Sequence, residues 1–252
     1  MVSNIRVIPR LDIKGPNLIK GIQLEGLRKV GDPHLFALDY YAQGADELLF
    51  VDVVASLYQR NNLTDIIKSA ADQVYIPITV GGGVRSLDDV SKLLQSGADK
   101  VAINTAAIAR PALIAEISQR YGAQCMVLSV EAKRTSAGQW EAFTNNGREP
   151  TGRDVVAWVR QAAELGAGEI LLTSVDQEGM RRGFDLELLQ QVCNAVRVPV
   201  IASGGFGEAA DLYRAAECGV SGVAIADALH FKRMTVPQVK QHGRGQGLAV
   251  RL

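Results

Sequence analysis

Cysteine, histidine and net charge are all scarce in this 252-residue sequence. The three cysteines, Cys125, Cys193 and Cys218, are odd in number and form no CxxC pair, which excludes a disulfide framework and a paired-thiol site. The three histidines, His34, His230 and His242, lack ligand spacing, and no HExxH or Cys/His cluster occurs, so neither a protein-bound metal nor any other cofactor is expected. Lysine plus arginine number 27 and aspartate plus glutamate 27, with basic residues spread along the chain. That balance argues against a nucleic-acid footprint or a membrane-surface patch. The N-terminus shows neither a signal-type apolar core nor a spanning segment. The expectation is a cytoplasmic chain whose partners are small molecules or proteins.

What the sequence does contain is a long internal repeat. Ile76-Pro-Ile-Thr-Val-Gly-Gly-Gly-Val reappears, starting at residue 198, as Val-Pro-Val-Ile-Ala-Ser-Gly-Gly-Phe. At the same offset Gly44-Ala-Asp-Glu-Leu-Leu recurs as Gly166-Ala-Gly-Glu-Ile-Leu, and Gly97 with Val101-Ala-Ile recurs as Gly219 with Val223-Ala-Ile. One register across three stretches is a duplication. Short apolar runs alternate with amphipathic ones, which predicts a single (β/α)8 TIM barrel built from two (βα)4 half-barrels, about 1–124 and 125–252. With 47% hydrophobic residues, a chain of this size can bury roughly 70–75% of its unfolded surface in one domain.

Strands are expected at Ile5–Leu11, Glu47–Val51, Ile78–Val80, Lys100–Ile103, Met126–Val130, Glu169–Thr173, Val200–Ala202 and Gly222–Ile225. Helix starts are expected at Asp32-Pro33, at Ser86 with Asp88 and Asp89, at Arg110-Pro111, and at Thr151 with Asp154 three residues on. Two interruptions are too long for ordinary βα loops. The glycine-rich stretch from Lys14 to Gly31 reads as a mobile lid, and Arg134 to Pro150, with its Asn145-Asn146-Gly147 turn, as a β-hairpin on the same rim.

Reactive groups in such a barrel sit where strands end. Asp12 and Glu131 end the first and fifth strands, equivalent places on opposite sides of the mouth, and suit a general acid and general base pair. The alternative is that each caps a loop or pairs with Lys14 or Lys133. Gly81-Gly82-Gly83 with Ser86, and Ser203-Gly204-Gly205, each join a strand to a helix start and form two anion cradles for a phosphorylated small molecule. Asn104-Thr105 completes the first cradle, whereas Asp227 brings a carboxylate to the second, where it is expected to serve as a helix N-cap. At the opposite end lie Arg6, Glu47, Lys100 and Glu169, a compensating ionic ring that reads equally as a salt-bridged floor or a gate.

Taken together, Leu11-Asp-Ile-Lys, Gly44-Ala-Asp-Glu-Leu, Thr79-Val-Gly-Gly-Gly-Val-Arg-Ser, Gly97-Ala-Asp-Lys-Val-Ala-Ile-Asn, Gly166-Ala-Gly-Glu-Ile-Leu-Leu-Thr-Ser and Ile201-Ala-Ser-Gly-Gly resemble the cyclase subunit family of imidazole glycerol phosphate synthase over essentially the whole chain. The resemblance implies a lyase of histidine biosynthesis. A glutaminase partner docks on the barrel floor and sends ammonia through the barrel. At the top, ammonia and a ribulosyl-phosphate aminoimidazole carboxamide ribonucleotide give imidazole glycerol phosphate and an aminoimidazole carboxamide ribonucleotide. It implies catalytic roles for Asp12 and Glu131 and a substrate-reaching lid lysine in Lys20. Substrate or phosphate contacts are implied for Asp52, Gly82, Gly83, Asn104, Thr105, Thr173, Asp176, Glu178, Gly179, Ser203, Gly204, Gly205 and Asp227. An ammonia gate is implied in Arg6, Glu47, Lys100 and Glu169, and a partner contact at Asp99.

The mouth departs from the family pattern. Glu131 and Glu178 stand where the family has aspartates, Met180 replaces a threonine, Asp227 a phosphate-binding serine, and Arg10 a cysteine. Strand alternation puts Arg10 on the inward face with Asp12, where pairing with Glu131 or Asp52 is expected. Two further readings follow from these departures: a paralogue channelling ammonia for amidation of a surface-polysaccharide sugar, and a non-catalytic scaffold that activates a glutaminase.

Overall fold

The computed structural model describes residues 4–54 and 63–251. Among them eight parallel strands close into a barrel: β1 (Arg6–Lys14), β4 (Leu48–Asp52), β5 (Ile78–Gly81), β6 (Lys100–Ile103), β7 (Met126–Ser136), β10 (Glu169–Ser174), β11 (Val200–Ser203) and β12 (Gly222–Ile225). Closure comes from β1 pairing with β12 and β10 pairing with β7. Helices between the strands cover the outside, as the βαβα pattern requires. All eight expected strands are present, but β1 and β7 run on past their expected ends into the ribbons of the mouth, so Asp12 and Glu131 lie within their strands and not at the ends. No helix of the described residues is long and apolar enough to cross a membrane.

Side chains alternate across each strand. Val7, Leu11 and Ile13 of β1 face the helix layer and belong to the large outer core. Ile8, Leu49, Ala102, Val127, Leu171, Ile201 and Ala224 form a separate apolar plug inside the barrel. Burying one such side chain is worth roughly 1.5–3 kcal/mol, so the plug is a stabilising layer and also a dry one. Ionic side chains lie below it and the site residues above it.

Local chemistry explains most of the helix starts. Asp32 accepts from the His34 N–H at 2.8 Å, and Ser86 with Asp89 makes a reciprocal capping box. The helix expected from Thr151 begins later: Glu149–Asp154 is strand β9, and Asp154 caps the helix Val155–Glu164 through the Ala157 N–H. Thr151 instead donates its hydroxyl to the Ala142 carbonyl and ties β9 to its neighbour.

Both long interruptions are β-structure. From Lys14 to Gly31 the chain makes β2 (Asn17–Ile22) and β3 (Glu25–Gly31), an antiparallel ribbon growing from the extended end of β1. Leu18, Ile19, Lys20 and Leu24 of this ribbon are buried, which glycine content alone did not foretell. The second interruption is the expected hairpin, formed by β7, β8 (Gln139–Thr144) and β9.

Candidate functional site

The mouth is built from strand ends and the two ribbons. Gly82 and Gly204 hold φ of 93° and 89°, and Gly83 and Gly205 hold 75° and 113°, so both glycine turns adopt the same left-handed backbone. A side chain at Gly82 would come within 2.2 Å of the Asp52 carbonyl, and one at Gly204 within 2.5 Å of the Ser174 carbonyl. Only glycine permits so close a turn, and it leaves backbone N–H groups open to an anion.

The two cradles differ in room. The first opens into a cavity of about 340 Å³ lined by Asp52, Gly82, Gly83, Asn104, Thr105 and Glu131, with Ser129 and Leu171 at its base. That is the size of a small-ligand site. The second, with Ser203, Gly204, Gly205, Gly179 and Asp227, encloses only about 20 Å³. Space of that order holds about one water. Lys20 from the ribbon is buried there in an ion pair with Glu178, so the ribbon is shut over the second cradle.

Asp227 is not the helix cap expected of it. The cap position of the short helix Asp227–His230 is Ala226, and the Asp227 carboxylate turns to Arg233 at 3.0 Å and Arg181 at 3.9 Å. Two guanidiniums offset the charge that would repel a phosphate. Neither arginine was singled out by sequence, because each lies in a loop without periodic signal.

Arg10 is likewise placed differently from expectation. It pairs with neither Glu131 nor Asp52: Nε donates to Asp12 Oδ1 at 2.9 Å, while Nη1 donates to Thr173 Oγ1 at 3.0 Å and Ser203 Oγ at 2.9 Å. The nearest acid along its own strand face is Asp12, two residues on, and that proximity wins. Burial opposes the guanidinium's charge, but Asp12, Glu178 and Glu131 outweigh it and hold Arg10 above its usual value.

Glu131 is half-buried at the wall of the larger cavity and accepts from the Gly147 N–H at 2.8 Å. Asn145, Asn146 and Gly147 all have positive φ, and this left-handed run aims the N–H at the carboxylate. Asn146 also donates to the Leu24 carbonyl, joining the hairpin to the ribbon. Burial pushes Glu131 up to about 7, against the Gly147 bond and the Arg10 charge, with Asp12 adding to the rise. Asp12, 3% exposed, sits behind Arg10 and is not among the residues lining either cavity. Neither acid pairs with Lys14 or Lys133: Asp12 is held by Arg10, and Lys133 lies over the Phe143 ring.

Other expected site residues fall in varied places. Asn104 donates to the Phe143 carbonyl, and Thr105 accepts from the Asn145 N–H. Asp52 accepts from the Val54 N–H at 3.0 Å. Asp176 lies away from both cradles, accepting from the Arg134 N–H at the outer rim. His230, behind the second cradle, bonds the Tyr40 hydroxyl at 2.6 Å, and burial, then Lys20, lowers it to about 3, so its ring is neutral.

At the floor, each carboxylate of the ring holds both cations. Glu47 contacts Arg6 at 2.8 Å and Lys100 at 2.9 Å, and Glu169 contacts Lys100 at 2.8 Å and also Arg6. Asp99 is exposed beside it and accepts from the Ile78 N–H. Among the described residues no cluster of histidine, cysteine and acidic side chains is arranged to hold a metal.

A family model described as "Histidine biosynthesis protein" matches residues 6–235. The chain is 65% identical over 207 residues to "Imidazole glycerol phosphate synthase subunit HisF" of Legionella pneumophila, covering 82% of this chain and 98% of that protein. The protein of the same name from Streptomyces coelicolor is 51% identical over 251 residues, with 100% of each covered, and that from Gluconacetobacter diazotrophicus 48% over 247 residues, with 98% and 96% covered.

Proposed function

We propose, from the premise that the chain belongs to the histidine biosynthesis protein family, a reading of how its barrel works as an enzyme. It is the cyclase subunit of imidazole glycerol phosphate synthase, a lyase that uses ammonia to form imidazole glycerol phosphate and an aminoimidazole carboxamide ribonucleotide. The observation that carries the mechanism is Glu131, a carboxyl pushed up to about 7 at the wall of a cavity large enough for a small ligand. Such a group gives and takes a proton near neutrality, as ring closure demands.

The first cradle binds one substrate phosphate through the N–H groups of Gly82 and Gly83, with Asn104 and Thr105 at its side. The second phosphate enters the other cradle when the Lys20–Glu178 pair parts and the ribbon Asn17–Gly31 lifts; Lys20 then turns to the substrate. Asp12 works with Glu131 across the mouth. Ammonia rises from the floor, where Arg6, Glu47, Lys100 and Glu169 form the gate and a glutaminase subunit docks at the rim that carries Asp99. The enzyme is a cytoplasmic heterodimer with that subunit. The matching φ values of the glycine turns support a single domain made of two half-barrels, about 1–124 and 125–252.

The test is a comparison of glutamine-driven and ammonium-driven turnover of the ribulosyl carboxamide substrate by the complex with a glutaminase. Glu169→Gln is expected to lower the first at least 10-fold and leave the second within about twofold, since only the delivered ammonia crosses the floor. Equal effects on both would remove the gate. Glutaminase stimulation without conversion would assign the barrel a different ammonia acceptor or a scaffold role.

A further inference from the structure

Arg10 lies between the apolar plug and the mouth, 4% exposed. Its neighbour strand β12 aligns Gly222 and Ala224 with Arg6 and Ile8 and offers no bulk on the inward face. The guanidinium therefore passes over β12 to reach Ser203 on β11 and Thr173 on β10. Thr173 lies opposite Glu131 in the β7–β10 register, so the arginine that begins at Asp12 ends beside the strand position of the other acid. Three bonds from the charged guanidinium, one of them to a carboxylate, fix the side chain in one geometry. An apolar residue would fill this space without the penalty of burying a charge, so stability alone does not account for the guanidinium.

We infer that Arg10 is a positioning residue of the reaction: its guanidinium fixes the Asp12 carboxylate and supplies one positive charge shared by Asp12 and Glu131. This rests on the proposed pairing of those two acids. Arg10 itself faces Asp12, Glu178, Glu131 and the neutral His230, with Lys20 engaged by Glu178. Glu131 faces Arg10, Asp12, Lys133 and the Gly147 N–H. Removing the guanidinium leaves burial and Asp12 less opposed, so Glu131 keeps its proton to higher pH.

Arg10→Gln and Arg10→Lys in the full chain, assayed for ammonium-driven turnover across pH, test the inference. Arg10→Gln is expected to lower kcat at least 10-fold with KM within about twofold, and to move the alkaline limb up by about one pH unit. Arg10→Lys keeps the charge, so the limb stays in place and part of kcat returns. An equal loss in both variants with no movement of the limb would mark a structural residue and overturn the inference. A faster Arg10→Gln enzyme would do the same, making the guanidinium an obstruction. A wild-type protein without turnover would count against the paired-acid reading instead. A carbon-13 titration of the Glu131 carboxyl then decides for Arg10: its midpoint rises in Arg10→Gln and holds in Arg10→Lys, and an unmoved midpoint sinks the inference.

Discussion

Glu131 is the side chain on which the proposed chemistry rests most, and its environment has a consequence for stability. Its folded-state value of about 7 lies above the unfolded glutamate value, because burial outweighs the Gly147 bond and Arg10. The folded state therefore binds more protons than the unfolded state between about pH 4.5 and 7, and stability falls as pH rises through that window. Glu131→Gln removes the ionisable group. The variant is expected to be more stable than wild type by on the order of 2 kcal/mol at pH 8, with the gap closing at pH 4. Urea unfolding at the two pH values checks it, and a pH-independent difference would show that Glu131 is not raised. The sequence placed this acid at the end of its strand. It could not show the Gly147 N–H on the carboxylate, because that bond depends on three consecutive left-handed residues in the turn between β8 and β9.

Among the elements, the ribbon of β2 and β3 is tied to the mouth by one buried ion pair, with backbone bonds at Gln23 and Leu24 beside it. Lys20 and Glu178 are 5% and 3% exposed, and losing one partner of such a pair costs about 3–5 kcal/mol. Glu178→Ala is expected to undock the ribbon, so amide exchange accelerates over residues 17–31 while the barrel strands stay protected. Unchanged exchange there would mean that Leu18, Ile19 and Leu24 hold the ribbon without the pair. The glycine turns offer a second prediction. Gly204→Ala combines positive φ with a 2.5 Å approach to the Ser174 carbonyl and is expected to cost on the order of 3 kcal/mol. Gly15→Ala, with positive φ and open space, is expected to cost about 1 kcal/mol. Equal losses in chemical denaturation would show that φ alone matters. These turns were legible because a repeated glycine after a strand has one physical use. The ribbon was not, since its alternation is broken by Gly21 and Gly26 and its partner strand is an extension of β1.

At the scale of the molecule, the barrel stacks three layers: an ionic ring at the floor, an apolar plug, and a polar mouth with two unequal cradles. The eight strands could be read from their apolar runs, since burial on both faces dictates that composition. Which charges pair could not, because Arg10, Asp227 and Lys20 each had several acids or bases within reach and only the packed interior selects among them. The proposal that joins these layers is ring closure at the mouth by Asp12 and Glu131. The most direct measurement is ammonium-driven conversion of the ribulosyl carboxamide substrate by the purified chain, beside Asp12→Asn and Glu131→Gln. Turnover by the wild type and a loss of at least about 100-fold in each variant are expected. Turnover that survives both substitutions, or none by the wild type with excess ammonium, would contradict it.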